Sequence, residues 1–246
     1  MRESLTPETV SLLLAGLTLT IALTVVTSIT SFVVGIGVGT LRLSANRLIR
    51  SAAGTFVEVF RNIPALIQII FWAFAFPSLF PADTRMFLFF DNSVMTWLTT
   101  VTGLSLPYYA LAACFGLTLN TGAHMAELFR AGVGTLPRER IETARLLGAG
   151  TLALFWWVLL PGGVRAAFPA ITTRLIHNMK NTALASFVAV PEFFQTVQAS
   201  IAQSFRAVEF LTIAAVVYLL LSTVMAGLLR RVDIRLNRGR MHVRPD

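Results

Sequence analysis

The 246-residue sequence predicts an all-α membrane protein, with about five transmembrane helices and a short amphipathic helix on the cytoplasmic side. Three observations predict it. Apolar residues make up 55% of the chain and charged residues only 13%, about half the roughly 25% charged share of a soluble domain, and mean hydropathy is +0.72. Apolar runs of spanning length recur along the chain. The arginines, finally, fall almost entirely on one side of those runs. The composition excludes disordered, collagen-like and disulfide-scaffold proteins, and the spans use most of the chain, so residues 1–246 read as a single transmembrane domain.

The expected spans are residues 12–41, 55–79, 104–125, 163–190 and 210–229, each at or above the roughly 20 residues a crossing helix needs. The first is too long for a signal core and is preceded by Glu3 and Glu8 beside Arg2, so it reads as a retained helix. Between the second and third, 86–90 and 94–98 are too short to cross and read as an interfacial or re-entrant excursion. The fourth carries Arg165, Arg174, His177 and Lys180, but its flanks are apolar and its length suffices. No internal repeat is visible, so a complete pathway would need a second copy or a partner.

The net charge of +8 comes from nineteen Arg and the single Lys180 against twelve acids. Arg42, Arg47, Arg50 and Arg61 surround the first connection, and Arg130, Arg138, Arg140, Arg145 and Arg165 the third. Arg230, Arg231, Arg235, Arg238, Arg240 and Arg244 fill the tail, leaving only Arg2, Arg85 and Arg206 for the other side. This asymmetry places the N-terminus outside and the C-terminus in the cytoplasm. The basic surplus is topological and gives no reason to expect a nucleic-acid partner.

Between spans three and four, Pro137 and Gly148 are the start and stop signals of a short helix. On it Ile141, Ala144 and Leu147 make an apolar stripe and Arg138, Glu142 and Arg145 a charged one. Such a helix is a docking surface or lies on anionic lipid. No nucleotide-binding Gly-x4-Gly-Lys-Ser/Thr frames Lys180. His124, His177 and His242 are too scattered to bind a metal, and no Gly-x-Ser-x-Gly elbow is present. Neither a catalytic residue nor a resident cofactor or metal is expected. Cys114, alone in an apolar run, reads as a small core residue.

Polar groups inside spans face a cavity or a partner. Arg174, His177, Asn178 and Asn181 share one helical face, with Lys180 to one side. They line a solute pathway or join helices. Gln68 has the same two readings, and Glu58 with Arg61, three residues apart, reads as a structural ion pair in preference to a gate.

Glu142-Thr-Ala144, then three residues, Gly148, nine residues and Val158-x-Leu160-Pro161 resembles the EAA loop of bacterial ATP-binding-cassette importer permeases, with Thr143 and Val158 as mild departures. That loop covers about 130–161. Gly16-Leu-Thr-Leu-Thr20 and the run from Gly35 to Gly39 are similar to the opening span of the polar-amino-acid branch. So are Glu58-x-x-Arg61-Asn-x-Pro64-x-x-x-Gln68 to its second span and Lys180-Asn-Thr182-Ala-Leu184 to its fourth. The segment holding Asn120, His124, Ala126, Glu127 and Arg130 also resembles that branch, with His124 where an aromatic is commoner.

The resemblance implies a type I importer permease of the bacterial inner membrane, moving polar or general L-amino acids inward by alternating access. Its partners would be two ATP-binding-cassette ATPase subunits, which bind the ATP and Mg, a second permease of the same or a sister chain, and a solute-binding protein. Glu142, Ala144 and Gly148 would serve coupling, with Ala144 and Gly148 small to let the two surfaces meet. Leu160 and Pro161 would set where the next span begins. Gln68, Asn120, His124, Arg174, His177, Asn178, Lys180 and Asn181 would be candidates for the pathway. The alternative is an ATP-independent homo-oligomeric channel or secondary transporter, in which charged residues in the spans carry ions. A third reading is a membrane partner that docks an ATPase without passing solute.

Overall fold

The computed structural model describes residues 6–90, 100 and 108–237. Among them there is no strand. The elements are α1 (Pro7–Leu41), α2 (Arg47–Asn62), α3 (Ala65–Ser78), α4 (Ala82–Arg85, continued by the wide π turn Met86–Phe90) and α5 (Tyr108–Gly134). They are followed by α6 (Arg138–Leu146), α7 (Thr151–Val188), α8 (Phe193–Ser204) and α9 (Ala207–Asn237). By length and composition α1, α7 and α9 are apolar enough to cross a membrane, and α2 with α3 makes a fourth if that bent pair is one crossing. The expected excursion at 86–90 falls on α4, whereas 94–98 lies outside the described residues.

Helix α1 starts where the Thr6 hydroxyl accepts the Thr9 amide at 3.2 Å and Pro7 supplies a preset φ. It makes the most extensive contact of the molecule with α5, which packs next most heavily on α7. The approach of α1 and α5 rests on small residues. A Cβ at Gly39 would lie 2.8 Å from the Ala126 carbonyl oxygen, and one at Gly35 would collide with Met125. Fifteen of the 27 residues of α5 are buried, among them Thr118, Asn120 and Thr121. This helix carries residues 108–125 of the third expected span, 104–107 lying outside the described residues, and it falls short of the apolar composition of α1, α7 and α9; the polar side chains responsible are buried against protein.

The expected second span, 55–79, is not one helix. The chain bends by 103° between α2 and α3, at Ile63, whose backbone is extended (φ −84°, ψ 127°), and Pro64. A proline disfavours helix in the residue before it and has no N–H to offer the carbonyl four residues back, here that of Phe60. The amide of Gln68 and the amide of Asn120 take over: Gln68 Nε2 donates to the carbonyls of Phe60 and Ile63, both at 2.9 Å, and Asn120 Nδ2 donates to the same two at 2.9 and 3.3 Å.

Leu160 and Pro161 stand where regular α-helix begins, at Leu160, straight after the π turn Phe155–Leu159, within a longer helical stretch. Helix α7 begins ten residues before Pro161, at Thr151 after Gly150, and Pro161 lies inside it. The π turn Phe155–Leu159 immediately before supplies the irregular backbone that tolerates a residue without an N–H. Farther on, α7 tightens into a 3-10 segment, Thr182–Val188. Helix α8 then packs on α1, where a Cβ at Gly16 would lie 2.7 Å from Thr196 Oγ1.

Candidate functional site

Two groups of polar residues stand out, one between α2, α5 and α7 and one on the exposed loop. In the first, Asn178 of α7 is fully buried and joins three helices. Its Oδ1 accepts from Thr121 Oγ1 of α5 at 2.9 Å, and its Nδ2 donates to Thr27 Oγ1 of α1 at 2.8 Å. The Thr27 hydroxyl in turn donates to the Leu23 carbonyl at 2.7 Å, so each polar atom is satisfied without water. Arg174, one turn away, donates through Nη2 to Asn120 Oδ1 at 2.6 Å and to Thr121 Oγ1 at 3.3 Å.

Arg174 and His177 also line a cavity of about 310 Å³ together with Arg61 of α2, His124 and Glu127 of α5, and Thr173. Of the pathway residues named from sequence, His124, Arg174 and His177 therefore meet at one cavity. Asn120 stands behind it through Arg174. Gln68 and Asn178 are spent on bracing the α2–α3 bend and the three-helix junction. Lys180 is exposed and Asn181 half-buried, and neither lines the cavity.

The expected Glu58–Arg61 ion pair does not form. Glu58 accepts from Asn62 Nδ2 at 3.3 Å instead, and no ion pair joins it to Arg61. The ion pairing sits on Glu127, which takes Arg130 Nη2 on Oε1 at 2.5 Å and both Arg42 Nη1 and Arg130 Nε on Oε2. Glu127 thereby ties the end of α1 to α5. The Arg42 partnership was not visible from spacing, because the two residues are 85 positions apart.

A second acid was missed from sequence altogether. Glu192 is fully buried at the start of α8, where its carboxylate accepts the backbone amides of Gln195 at 2.8 Å and Phe194 at 3.0 Å, with Thr20 Oγ1 at 3.1 Å and Tyr218 OH at 3.3 Å. Burial pushes its carboxyl above the ordinary range, against the amides and hydroxyls that favour the charged form. An acid just ahead of an apolar helix is an N-cap signal. It ties α8 to α1 and α9.

On the loop, α6 forms as expected between Pro137 and Gly148. It closes with the amide of Gly148 on the Arg145 carbonyl at 2.9 Å and that of Ala149 on the Ala144 carbonyl at 2.9 Å, the double bond of a left-handed helix stop. Gly148 has φ +83°, and no atom lies within 4 Å of where its Cβ would be. Its local cause is the left-handed backbone rather than crowding within the chain. Glu142 is exposed, Ala144 half-buried, and Leu146 and Leu147 project at 88% and 83% exposure beside Leu152, Trp156 and Trp157.

A multi-pass helical bundle with a small helix projecting from one connection, and a polar cavity between its inner helices, defines a membrane transport component. The model of the family described as the binding-protein-dependent transport system inner membrane component matches residues 31–238, and the chain belongs to that family. It is a transport component and not an enzyme. The chain is 28% identical over 229 residues to the glutamate/aspartate import permease protein GltJ of Escherichia coli, covering 92% of this chain and 89% of that one. It is also 28% identical over 230 residues to the nopaline transport system permease protein NocM of Agrobacterium fabrum, covering 92% and 88%. Among solved structures, one of an amino acid ABC transporter with histidines superposes with a TM-score of 0.72 at 21% identity, over 92% of this chain and 94% of that one. The MetNI methionine ABC transporter in inward-facing conformations gives 0.72 at 20% identity, over 94% and 99%.

Proposed function

We propose that this chain is the permease subunit of an ATP-binding-cassette importer for amino acids. It pairs with a second permease, sits on two ATPase subunits that hold ATP and Mg, and receives solute from a binding protein. The N-terminus lies outside and the C-terminus inside, in line with the arginines gathered around α6 and the end of α9. Closure of the ATPases moves α6, and α5 and α7, which flank it in the chain, carry that movement to the cavity they line.

The observation that carries this reading is α6: a helix of nine residues, capped at both ends by Pro137 and Gly148, presenting exposed leucines at its far end. Exposed apolar surface of this kind marks an interaction site. Glu142, Ala144 and Gly148 shape that surface, and Leu160 and Pro161 stiffen or bend the helix behind it. Around the cavity, His124, Arg174 and His177 contact the solute, Lys180 and Asn181 lie farther along α7, and Asn120, Gln68 and Asn178 hold the geometry.

The test is radiolabelled amino-acid uptake in proteoliposomes, with the ATPase, partner permease and binding protein reconstituted, with and without internal ATP. Leu147→Asp is expected to lower ATP-driven uptake at least tenfold while the assembly stays intact. Uptake that needs no ATP and ignores Leu147 overturns the coupled importer.

A further inference from the structure

We infer that the cavity between α2, α5 and α7 is a carboxylate site built around Arg61 and Arg174, and that it favours anionic amino-acid solutes over cationic ones. The inference deepens the importer reading and rests on it.

The charge around the cavity is unbalanced. Its wall holds two guanidinium groups, Arg61 and Arg174, and one carboxylate, Glu127. Glu127 is already engaged by Arg42 and Arg130, outside the cavity wall. Among the described residues lining the cavity there is no second acid to receive a cationic side chain.

Hydrogen bonding points the same way. Among the described residues no hydrogen bond or ion pair holds Arg61, and its Nε is buried without a partner there. The Nε of Arg174 is likewise buried and unpartnered, while its Nη2 is held by Asn120 and Thr121, which fixes the plane of the guanidinium. A buried charged donor without an acceptor is costlier than a neutral one, and a fixed guanidinium fork matches a carboxylate with two parallel bonds. At about 310 Å³ the cavity is at the small end of the roughly 300–1,000 Å³ typical of ligand sites. It takes an amino-acid-sized molecule. One carboxylate would occupy one arginine; a second carboxylate accounts for the other.

Arg61 is the residue to change, because it makes no hydrogen bond or ion pair among the described residues. Equilibrium binding of radiolabelled L-glutamate and L-arginine to the detergent-purified assembly with its ATPase subunits reads the site directly. L-glutamate is expected to bind at least tenfold more tightly than L-arginine. Arg61→Gln should weaken glutamate binding at least tenfold, Arg61→Lys, which keeps the charge but not the fork, should recover only part of it, and Arg47→Gln, at the far end of α2, should leave it unchanged. L-arginine bound as tightly as L-glutamate, glutamate binding indifferent to Arg61→Gln, or no glutamate binding to a monodisperse assembly would each overturn the site. Arg61-dependent glutamate binding without ATP-driven uptake in proteoliposomes would keep the site and sink the importer reading.

Discussion

Helices α5 and α9 invert the usual relation between hydropathy and burial. The apolar stretch of α9 has only 6% of its residues buried, against 33% for α1, while α5, less apolar than either, has more than half of its residues buried. In a bilayer, apolar side chains gain no hydrophobic free energy by facing another helix rather than lipid tails. What earns a central place is a small or hydrogen-bonding surface. Helix α5 supplies it through Gly122 and Gly132 at helix contacts, through Asn120 and Thr121 toward α7, and through Thr118 toward α1. Helix α9 presents Val216, Leu219, Leu220, Val224 and Leu228 outward.

Three substitutions sharpen that contrast, ordered by expected effect on thermal unfolding in detergent. Gly35→Val, at the α1–α5 crossing, drives a side chain into Met125 and the Gly122 carbonyl; overpacking of this kind costs about 3 kcal/mol. An unchanged melting temperature would mean that α1 and α5 are free to part. Asn178→Leu keeps the branched outline but removes the hydrogen-bonded junction of α1, α5 and α7, for a loss of about 1–2 kcal/mol. A stabilised Leu variant would show that the junction serves movement and not stability. Gly227→Ala on α9 meets nothing within 4 Å and should raise stability by about 0.5–1 kcal/mol. A loss there would reveal a neighbour packed on α9 in the assembly.

The helical membrane class, the loop helix α6 and the polar face of α7 were legible from apolar run length, arginine placement and the Pro137 and Gly148 signals. Pro64 is a break signal as well, set inside an apolar run long enough to read as one helix. The π turn ahead of Pro161 was not, since nothing in Phe155–Leu159 distinguishes a widened turn from an ordinary one. Arg174 and His177 were placed together correctly by helical period, whereas sorting Asn178 from them needed the third dimension: it lies one residue beyond His177 and turns from the cavity into the junction. Arg61 was read as the partner of Glu58 because sequence spacing shows neighbours on one helix and not the cavity across from it.

The elbow at Ile63 and Pro64 bears on how the chain is made. Gln68 reaches the Phe60 carbonyl across eight residues, whereas Asn120 reaches it across sixty. On the ribosome the first contact is available almost as soon as α3 emerges, and the second only after the following loop and half of α5 have been synthesised. The elbow thus has one brace local to its own bent pair and a second that exists only once α5 is packed against it, so the two braces differ in what the rest of the chain must supply.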